Sequence, residues 1–426
     1  MASFRIKFEW EDAPRVSAPE LGATWARLEI YADSEAVTKV EARRAQSVRT
    51  GIYVPLYPIA EWMIANWWFL WDEWRTDGQD SRHSLLAARE GFALPNLSLL
   101  PTETKIELIW RPVTSAAADV SFLSGGSMVV AKSLVREEFR RLVEAVLERL
   151  EVRQAHGSYL VQEWRAIQDA EQDPEQRAFC ETAARLGCDP FDLEDSVANQ
   201  IERLGVLLPE PVVEDFCDAI PLAQMTSGAK AVKAFVDSAH LAAPEEGKWQ
   251  EVREKLRMQG SEIPWRDGSI EARALRSYLG INGPITTGLH EYLNRELGSF
   301  EIREFAAPPR IDAISAPAET NAPVFGFPAH LHEEQNRFRL CRALADHLAS
   351  GQPSLVTRGR TEHQQRNRAF AAEFLAPAES IRKRIGGDRV GEEDLEELAR
   401  EFQVSDLVIR HQIQNHNLAW LSDLTA

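Results

Sequence analysis

The sequence predicts an α+β protein with a strand-containing N-terminal part, a helical middle region, and a mainly helical C-terminal part that includes a small sheet. Three observations predict this class. Several short segments alternate apolar and polar residues, as half-buried strands do, and longer segments repeat apolar residues at helical spacing. The composition, with 44% hydrophobic and 27% charged residues among 426, is that of a globular protein. Changes in composition place the predicted domains at 1–130, 131–260 and 261–426.

Alternation is clearest at the N-terminus, where apolar side chains occupy every second position: Phe4, Ile6, Phe8 and Trp10. Segments 23–31 and 105–113 repeat this period, which is typical of strands with one buried face. Eight of the twelve tryptophans of the chain fall in the first 110 residues. We therefore expect a separate, tryptophan-rich mixed α/β domain over residues 1–130.

The tryptophan-rich segment 58–74 contains Trp67, Trp71 and Trp74 at helical spacing, so that one helix face carries three indoles. Charged residues interrupt the segment, and its uncharged run is about half of what a bilayer requires. Two interpretations remain open. The helix is either buried in the core, or it presents an exposed aromatic face that binds a partner.

The pattern after residue 130 is helical. A long helix is expected over 133–152, with Ser133 as its N-cap. Segment 184–205 has the shape of a helix-turn-helix or of an ordinary helical hairpin. For the C-terminal part we expect a strand at 300–305 and helices at about 269–279, 286–297, 333–349, 363–385, 392–402 and 406–416. The last two resemble a helix-turn-helix pair, with Ser405 as the N-cap of the second.

The charge balance excludes one broad class of function. With 66 acidic and 48 basic side chains, the formal net charge is −18, so the phosphate backbone of nucleic acids repels most of the surface. A general nucleic-acid coat protein is therefore excluded, although a local basic site remains possible. The N-terminus shows no secretory signal, and four irregularly spaced cysteines do not form a disulfide framework or a zinc ribbon. We expect reduced thiols, a cytoplasmic location and no membrane association.

Four segments, in order, resemble one protein family: PWRDGSIEARALRSYLG (264–280), RFRLCRALADHLASG (337–351), RNRAFAAEFLAP (366–377) and LEELAREFQVSDLVIRHQIQNHNL (395–418). Through them the C-terminal part resembles the ImmA/IrrE family of zinc metallopeptidases. That family regulates mobile elements and stress responses by cutting a helix-turn-helix repressor. The resemblance implies the fold of a metallopeptidase domain over residues 261–426.

The resemblance also implies where the zinc site would be. In the family, two histidines four residues apart bind zinc, the glutamate after the first is the general base, and a glutamate on the next helix is the third ligand. Here the corresponding residues are Arg342, Ala343, Asp346, and Gln364 or Arg366. Because arginine stays protonated and alanine accepts no proton, we expect a degenerate site with no catalytic residue, no metal and no other cofactor.

A displaced metal site is the alternative. His347 is one residue past the expected position, about 100° around the helix, and HLHEE (330–334), Asp346 and His363 supply further possible ligands. In that case the protein would be an active zinc peptidase with relocated ligands.

The substituted residues also suggest a contact of their own. Arg342 and Asp346 have opposite charges at i, i+4 spacing, and Gln364 or Gln365 on the next helix would supply further hydrogen bonds. We interpret this as an ion pair that replaces the metal as the link between two helices. The alternative is drift of an unused site, with Arg342 reaching solvent.

A local basic segment lies around these positions. Residues 337–389 include eleven basic and five acidic residues, which gives a local net charge of +6 (11 − 5). Arg358, Arg360, Arg366 and Arg368 lie at a predicted loop-to-helix junction, where helix amides also attract anions. These four arginines are either an anion-binding site or solvated residues of ordinary helix faces.

Three functions follow from these patterns. The first is a catalytically inactive, metallopeptidase-like recognition or regulatory module in a mobile-element, defence or stress operon, with a repressor-like protein or an operon-encoded subunit as partner. The second is the peptidase with relocated ligands, which would cut a repressor. The third is a DNA-binding regulator that uses the arginine cluster and polar residues of the last helix (His411, Gln412, Gln414 and Asn415).

Overall fold

The structure is a computed structural model that describes all residues except 1–2, 15, 17, 75–81, 116–119, 156–157, 243, 245–246, 257–262, 287, 330–332 and 422–426. It is 53% helical and 20% strand, which confirms the α+β class. The chain forms two compact units, Met1–Ile201 and Glu202–Ala426. The helices of the predicted middle region are divided between these two units, and the three-domain division stays a prediction.

In its described residues, the first unit has three antiparallel sheets. In the first, β2 lies between β1 and both β3 and β6; the second has the order β5-β4-β10-β9 and the third β11-β8-β7. The strands are β1 Phe4–Trp10, β2 Trp25–Ala32, β3 Glu35–Ala36, β4 Val40–Ala42, β5 Ser47–Arg49, β6 Ile52–Pro55, β7 Asn96–Pro101, β8 Lys105–Arg111, β9 Val113–Ser115, β10 Val120–Phe122 and β11 Gly126–Ala131.

Helices of the first unit pack on these sheets around one apolar core. They are α1 Pro19–Ala23, α2 Tyr57–Ala65, α3 Trp67–Asp72, α4 Lys132–Val152, α5 Ser158–Gln172 and α6 Pro174–Arg185, with a 3-10 turn at Leu85–Ala88. Helix α4 begins one residue before the expected start, and Ala131, which has no capping side chain, precedes it instead of Ser133. Helix α7, Asp195–Leu207, spans the boundary between the units.

The three indoles predicted at helical spacing are buried. The segment is two helices, α2 and α3, which meet at Asn66, and Trp67, Trp71 and Trp74 are all at most 5% exposed. Trp67 packs edge-on against Trp164 at 4.7 Å between ring centroids. The structure therefore places these residues in the core, and they do not form the exposed aromatic face of the partner-binding interpretation.

The second unit is mainly helical. Its helices are α8 Glu210–Ala219, α9 Met225–His240, α10 Trp249–Leu256, α11 Pro264–Tyr278, α12 Leu289–Leu297, α13 Glu333–Ser350, α14 Glu362–Leu375, α15 Ala378–Arg384, α16 Glu392–Phe402 and α17 Asp406–Asn415, with a 3-10 turn at Leu222–Gln224. The predicted helix 363–385 is two helices, because Pro377 disfavours helical backbone at the residue before it.

One four-stranded sheet supports these helices, in the order β12-β14-β13-β15. Its strands are β12 Glu301–Glu304, β13 Ile311–Pro317, β14 Pro323–Phe327 and β15 Ser354–Thr357; β12 and β14 are parallel and the other pairs antiparallel. A short parallel pair, β16 Arg389–Val390 and β17 Trp420–Leu421, joins the end of the unit. None of the helices in the described ranges combines the length and apolar character that crossing a membrane requires.

Helices α11 and α14 lie against each other at very close range. A Cβ atom built on Gly268 of α11 would be 2.0 Å from the carbonyl oxygen of Arg366 in α14, and 3.0 Å from the amide nitrogen of Phe370. Both neighbours are backbone atoms, which cannot move aside as a flexible side chain can. Only glycine at position 268 therefore allows α11 and α14 to approach this closely. In this position the side chains of α14 contact α13.

We expect Gly268→Ala to lower the free energy of unfolding by about 1–3 kcal/mol, because the added methyl forces two packed helices apart. Gly205→Ala is the matched control. Gly205 is also helical, and a Cβ there meets nothing within 4 Å, so alanine should stabilise the chain by about 0.5–1 kcal/mol. Urea denaturation of both variants measures the difference, and equal effects would contradict the packing argument.

Candidate functional site

The positions that correspond to the zinc site lie where α13 faces α14 and the end of β15. Arg342, Ala343 and Asp346 of α13 are all buried, and so are Gln364 and Asn367 of α14. Thr361 begins α14, and its hydroxyl accepts a hydrogen bond from the amide of Gln364 at 3.3 Å. The first turn of α14 thus holds the Gln364 side chain against α13.

One guanidinium nitrogen of Arg342 connects α13 to both β15 and α14. Its Nη2 donates to the carbonyl oxygen of Thr357 at 2.7 Å and to Oε1 of Gln364 at 2.6 Å, and its Nη1 lies 3.8 Å from Oδ2 of Asp312. Burial lowers the pKa of Arg342 to about 10, so the side chain stays charged at neutral pH. The side chain is only 5% exposed, and it does not reach solvent as the drift alternative expects.

Gln364 uses both ends of its amide. Besides Arg342, its Oε1 accepts from the amide of Thr357 at 3.0 Å, while Nε2 donates to the carbonyl oxygen of Leu355 at 2.6 Å. The neighbouring Gln365 instead donates to the carbonyl oxygen of Arg360. Of the two glutamines expected to support Arg342, Gln364 alone makes that contact.

The expected i, i+4 ion pair is not formed. Within the described part of the chain, no ion pair joins Arg342 to Asp346; Oδ1 of Asp346 accepts from Nδ2 of Asn367 on α14. Burial raises the pKa of Asp346. Two hydrogen bonds therefore link α13 to α14 in place of the expected ion pair: Arg342–Gln364 and Asp346–Asn367. Asn367 was missed because the hypothesis took the partner of Asp346 from the charge spacing within α13 and considered only Gln364 and Gln365 on the next helix.

Helix α8 adds a residue from outside the segment that resembles the family. Oδ2 of Asp215 lies 3.0 Å from Nε2 of His363, and that nitrogen is 3.8 Å from Oδ1 of Asp346. Burial raises the pKa of Asp215 to about 7. One signal was present in the sequence: Asp215 shares the spacing of Val212 and Ala219, which places a carboxylate on the buried face of α8.

The histidines considered for a displaced metal site are not brought together: His363 lies beside Asp215 and Asp346, but His347 does not join them. His347 is fully buried on another side of α13, where it packs edge-on against Trp249 and its Nε2 lies 3.2 Å from Nη2 of Arg253. His330 and His332 lie outside the described residues. Among the residues that the structure does describe, no group of three or more His, Cys, Asp or Glu side chains could hold a metal ion.

The side chains at the expected zinc position do not fit that ion. Zinc in proteins is held by thiolate, imidazole or carboxylate groups, whereas this position holds a protonated guanidinium, a methyl group and a side-chain amide from Arg342, Ala343 and Gln364. Of the side chains at the positions that correspond to the family's zinc site, Asp346 is the one that could ligate the ion, and the amide of Asn367 bonds one of its oxygens. The cation that joins the two helices here is the guanidinium of Arg342.

The comparison with protein families agrees with this placement. Residues 302–414 match the IrrE N-terminal-like domain of the M78 peptidases. The match confirms the family resemblance of the C-terminal part. It includes most of β12, all of β13 to β15, α13 and α14, and nearly all of α17, hence every position that corresponds to the zinc site. Asp215 of α8 lies outside the match. No curated protein and no solved structure matches the chain.

The arginines predicted to bind an anion are only partly together in the IrrE-like domain. Arg366 makes an ion pair with Glu271 of α11, at 2.6 and 3.1 Å. Arg358 and Arg360 are exposed, and Arg368 donates to the carbonyl oxygen of Gly359 at 2.8 Å. Arg366 is therefore already neutralised within the domain. The anion-binding role of the four residues stays a prediction.

An open groove of about 820 Å³ lies beside Arg342. Helices α11, α13, α14 and α17 form its walls, and its lining includes Asp312, Arg339, Arg342 and Arg368. Of the α17 residues considered for DNA binding, His411 and Asn415 face this groove as well, while Gln412 is buried and donates to Glu373 and to the carbonyl oxygen of Ala376. Gln412 is therefore used inside the fold.

We expect Arg342→Ala to lower the free energy of unfolding by about 2–4 kcal/mol, because the acceptors on Thr357 and Gln364 lose a charged donor. Arg358→Ala is the control. Arg358 also approaches Asp312, at 3.7 Å, but its side chain is 72% exposed, so its removal should change stability by less than about 0.5 kcal/mol. If chemical denaturation shows similar effects for both, Arg342 does not link the helices.

Burial lowers the pKa of His347 to about 3, from its ordinary value of 6.5. As the pH falls below 6.5 the unfolded chain takes up a proton that the folded chain refuses, so stability contributed by neutral His347 is lost progressively. Between pH 7 and pH 5, wild type should lose about 1–2 kcal/mol more unfolding free energy than His347→Gln. Parallel pH profiles for the two proteins would show that the imidazole is protonated in the fold.

Proposed function

We propose that the protein is a catalytically inactive, metallopeptidase-like regulatory module that binds a protein partner in the groove of its IrrE-like domain. The partner would be a repressor-like protein or a subunit encoded in the same mobile-element, defence or stress operon. The operon context rests on analogy with the family alone.

One observation carries the inactive part of this proposal: the Arg342–Gln364 hydrogen bond lies where zinc would join the two helices. A metallopeptidase needs a metal-bound water and a base that takes its proton. At the position of that base the chain has Ala343, which is fully buried. The scaffold thus retains the arrangement of the helices without the groups that would activate water.

The open groove supports the binding part of the proposal. Its exposed apolar side chains include Trp265 of α11, 40% exposed, and Leu407 of α17, 55% exposed. Apolar side chains that remain in solvent on opposite walls of a groove are typical of a surface that binds another protein. The site can therefore hold a polypeptide although it lacks the chemistry to cut one.

Metal analysis of the purified full chain tests inactivity. After incubation with zinc and removal of the excess, we expect much less than one zinc per chain, and no cleavage of the adjacent operon product that a chelator abolishes. Asp346→Asn is the informative variant, because a relocated site would use that carboxylate. Stoichiometric zinc that falls in Asp346→Asn would overturn the proposal in favour of the peptidase with relocated ligands.

Co-expression with the products of adjacent genes tests binding. Ala372 lies on the groove side of α14, so Ala372→Trp fills the groove and should abolish the complex seen by size-exclusion chromatography. Ala349→Trp, at an exposed position of α13 outside the groove lining, is the matched control and should leave the complex intact. A complex that survives Ala372→Trp, or the lack of any complex, would contradict the groove as the binding surface.

A further inference from the structure

The groove has an unusual distribution of charge near Asp312. Nη2 of Arg339 lies 3.0 Å from Oδ1 of this carboxylate, Nη1 of Arg342 lies 3.8 Å from Oδ2, and Nε of Arg358 lies 3.7 Å from Oδ1. Arg368, which also lines the groove, lies close enough to feel the charges of both Asp312 and Arg342. Three guanidinium groups thus lie within 4 Å of one carboxylate, and the fourth lies nearby.

Some of these guanidinium nitrogens have no acceptor within the fold. Nη1 of Arg339 and Nε of Arg342 are buried and make no hydrogen bond to any part of the chain that the structure describes. A buried N–H group without an acceptor is energetically unfavourable, more so on a charged side chain. Glu334 also lines the groove, but among the residues that the structure describes no ion pair joins it to these arginines. This part of the groove therefore has N–H donors to which an anionic group could be an acceptor.

The walls of the groove restrict what that anionic group can be attached to. Trp265 and Leu407 are exposed at its edges, and Phe338 and Val408 are half-buried along it. Ala369 of α14 leaves room between the walls because its side chain is short. A ligand that fills this space must combine negative charge with large apolar groups.

We propose that the groove binds a peptide segment in which an aspartate or glutamate lies between large apolar side chains. The carboxylate meets Arg339 and Arg368, and the flanking apolar side chains contact Trp265 and Leu407. This inference rests on the proposed function, since it specifies the chemistry of the partner that the inactive domain would bind. A planar carboxylate matches the paired N–H groups of a guanidinium, which gives both charge and direction to the contact.

Nucleic acid is the other anionic polymer that the arginines could attract, and the structure favours it less. The chain as a whole carries a formal charge of −18, so the surface outside the groove repels a phosphate backbone. A phosphate backbone also offers no large apolar side chains for Leu407 and its neighbours on the wall. Binding of an oligonucleotide is therefore an outcome of the test that would overturn the proposal.

Phage-displayed random peptides selected on the full-length protein provide the first measurement. We expect the enriched peptides to contain an aspartate or glutamate flanked by leucine, phenylalanine or tryptophan. An enriched peptide is then synthesised with a fluorescent label, together with the same peptide carrying glutamine or asparagine at the acidic position. Loss of the charge should weaken binding roughly tenfold or more in fluorescence anisotropy.

Variants of the protein test the same contact from the other side. Arg368→Gln should also weaken binding of the acidic peptide roughly tenfold. The peptide with glutamine or asparagine at the acidic position should bind the wild type and the variant equally. Because Arg368 is partly buried, Arg358→Gln, at an exposed position, serves as a second variant with a smaller loss in the same direction. Arg295→Gln, 70% exposed and outside the groove lining, is the control and should bind as wild type does.

Three outcomes overturn the proposal: no acidic residues among the enriched peptides, equal affinity for the acidic and amide peptides, or displacement of the acidic peptide by a duplex or single-stranded oligonucleotide. Failure of the proposed function would look different. Chelator-sensitive cleavage of the bound peptide would contradict inactivity while leaving the acidic preference intact. Conversely, a metal-free complex with an operon-encoded partner, without acidic preference, would remove only the present inference.

Discussion

The contacts of α13 with α14 and β15 depend on how one of the buried arginines of the second unit, Arg342, is accommodated. A guanidinium that is almost fully removed from water must be surrounded by acceptors, or the loss of its hydration would destabilise the fold by several kcal/mol. For Arg342 the acceptors come from the end of β15 and from α14, with Asp312 a little farther away. The same requirement that fixes Arg342 therefore fixes the separation of α13, α14 and β15.

Neutral amides complete this arrangement better than further carboxylates would. Gln364 offers an acceptor to Arg342 and a donor to Leu355, and Asn367 donates to Asp346. A carboxylate at either amide position could not donate, and next to Asp346 it would add a second buried negative charge. Burial already raises the pKa of both Asp215 and Asp346. The site thus has the charge balance of a polar core and differs from that of a metal centre.

Sequence reasoning predicted what depends on local pattern and missed what depends on long-range contacts. The alternation of Phe4 to Trp10 predicted β1 to the residue, and the motif segments placed α13 and α14. Helical spacing within α13 suggested Asp346 as the partner of Arg342, but a long buried side chain bonds whatever acceptors surround it, and these belong to other elements. The spacing of Trp67, Trp71 and Trp74 is equally compatible with a core and with a surface, because periodicity defines a face without saying what covers it.

The walls of the groove and the hydrogen bonds of Arg342 and Gln364 depend on different contacts, so that a change in one need not alter the other. The α17 wall is fixed by buried Gln412, which donates to Glu373 and to the carbonyl oxygen of Ala376 at the end of α14. The α11 wall is fixed by the close approach of Gly268 to α14. Neither contact involves a side chain at a position that corresponds to a zinc ligand. The contacts that fix the two walls are therefore independent of the side chains of Arg342 and Gln364, and the proposed binding function rests on that independence.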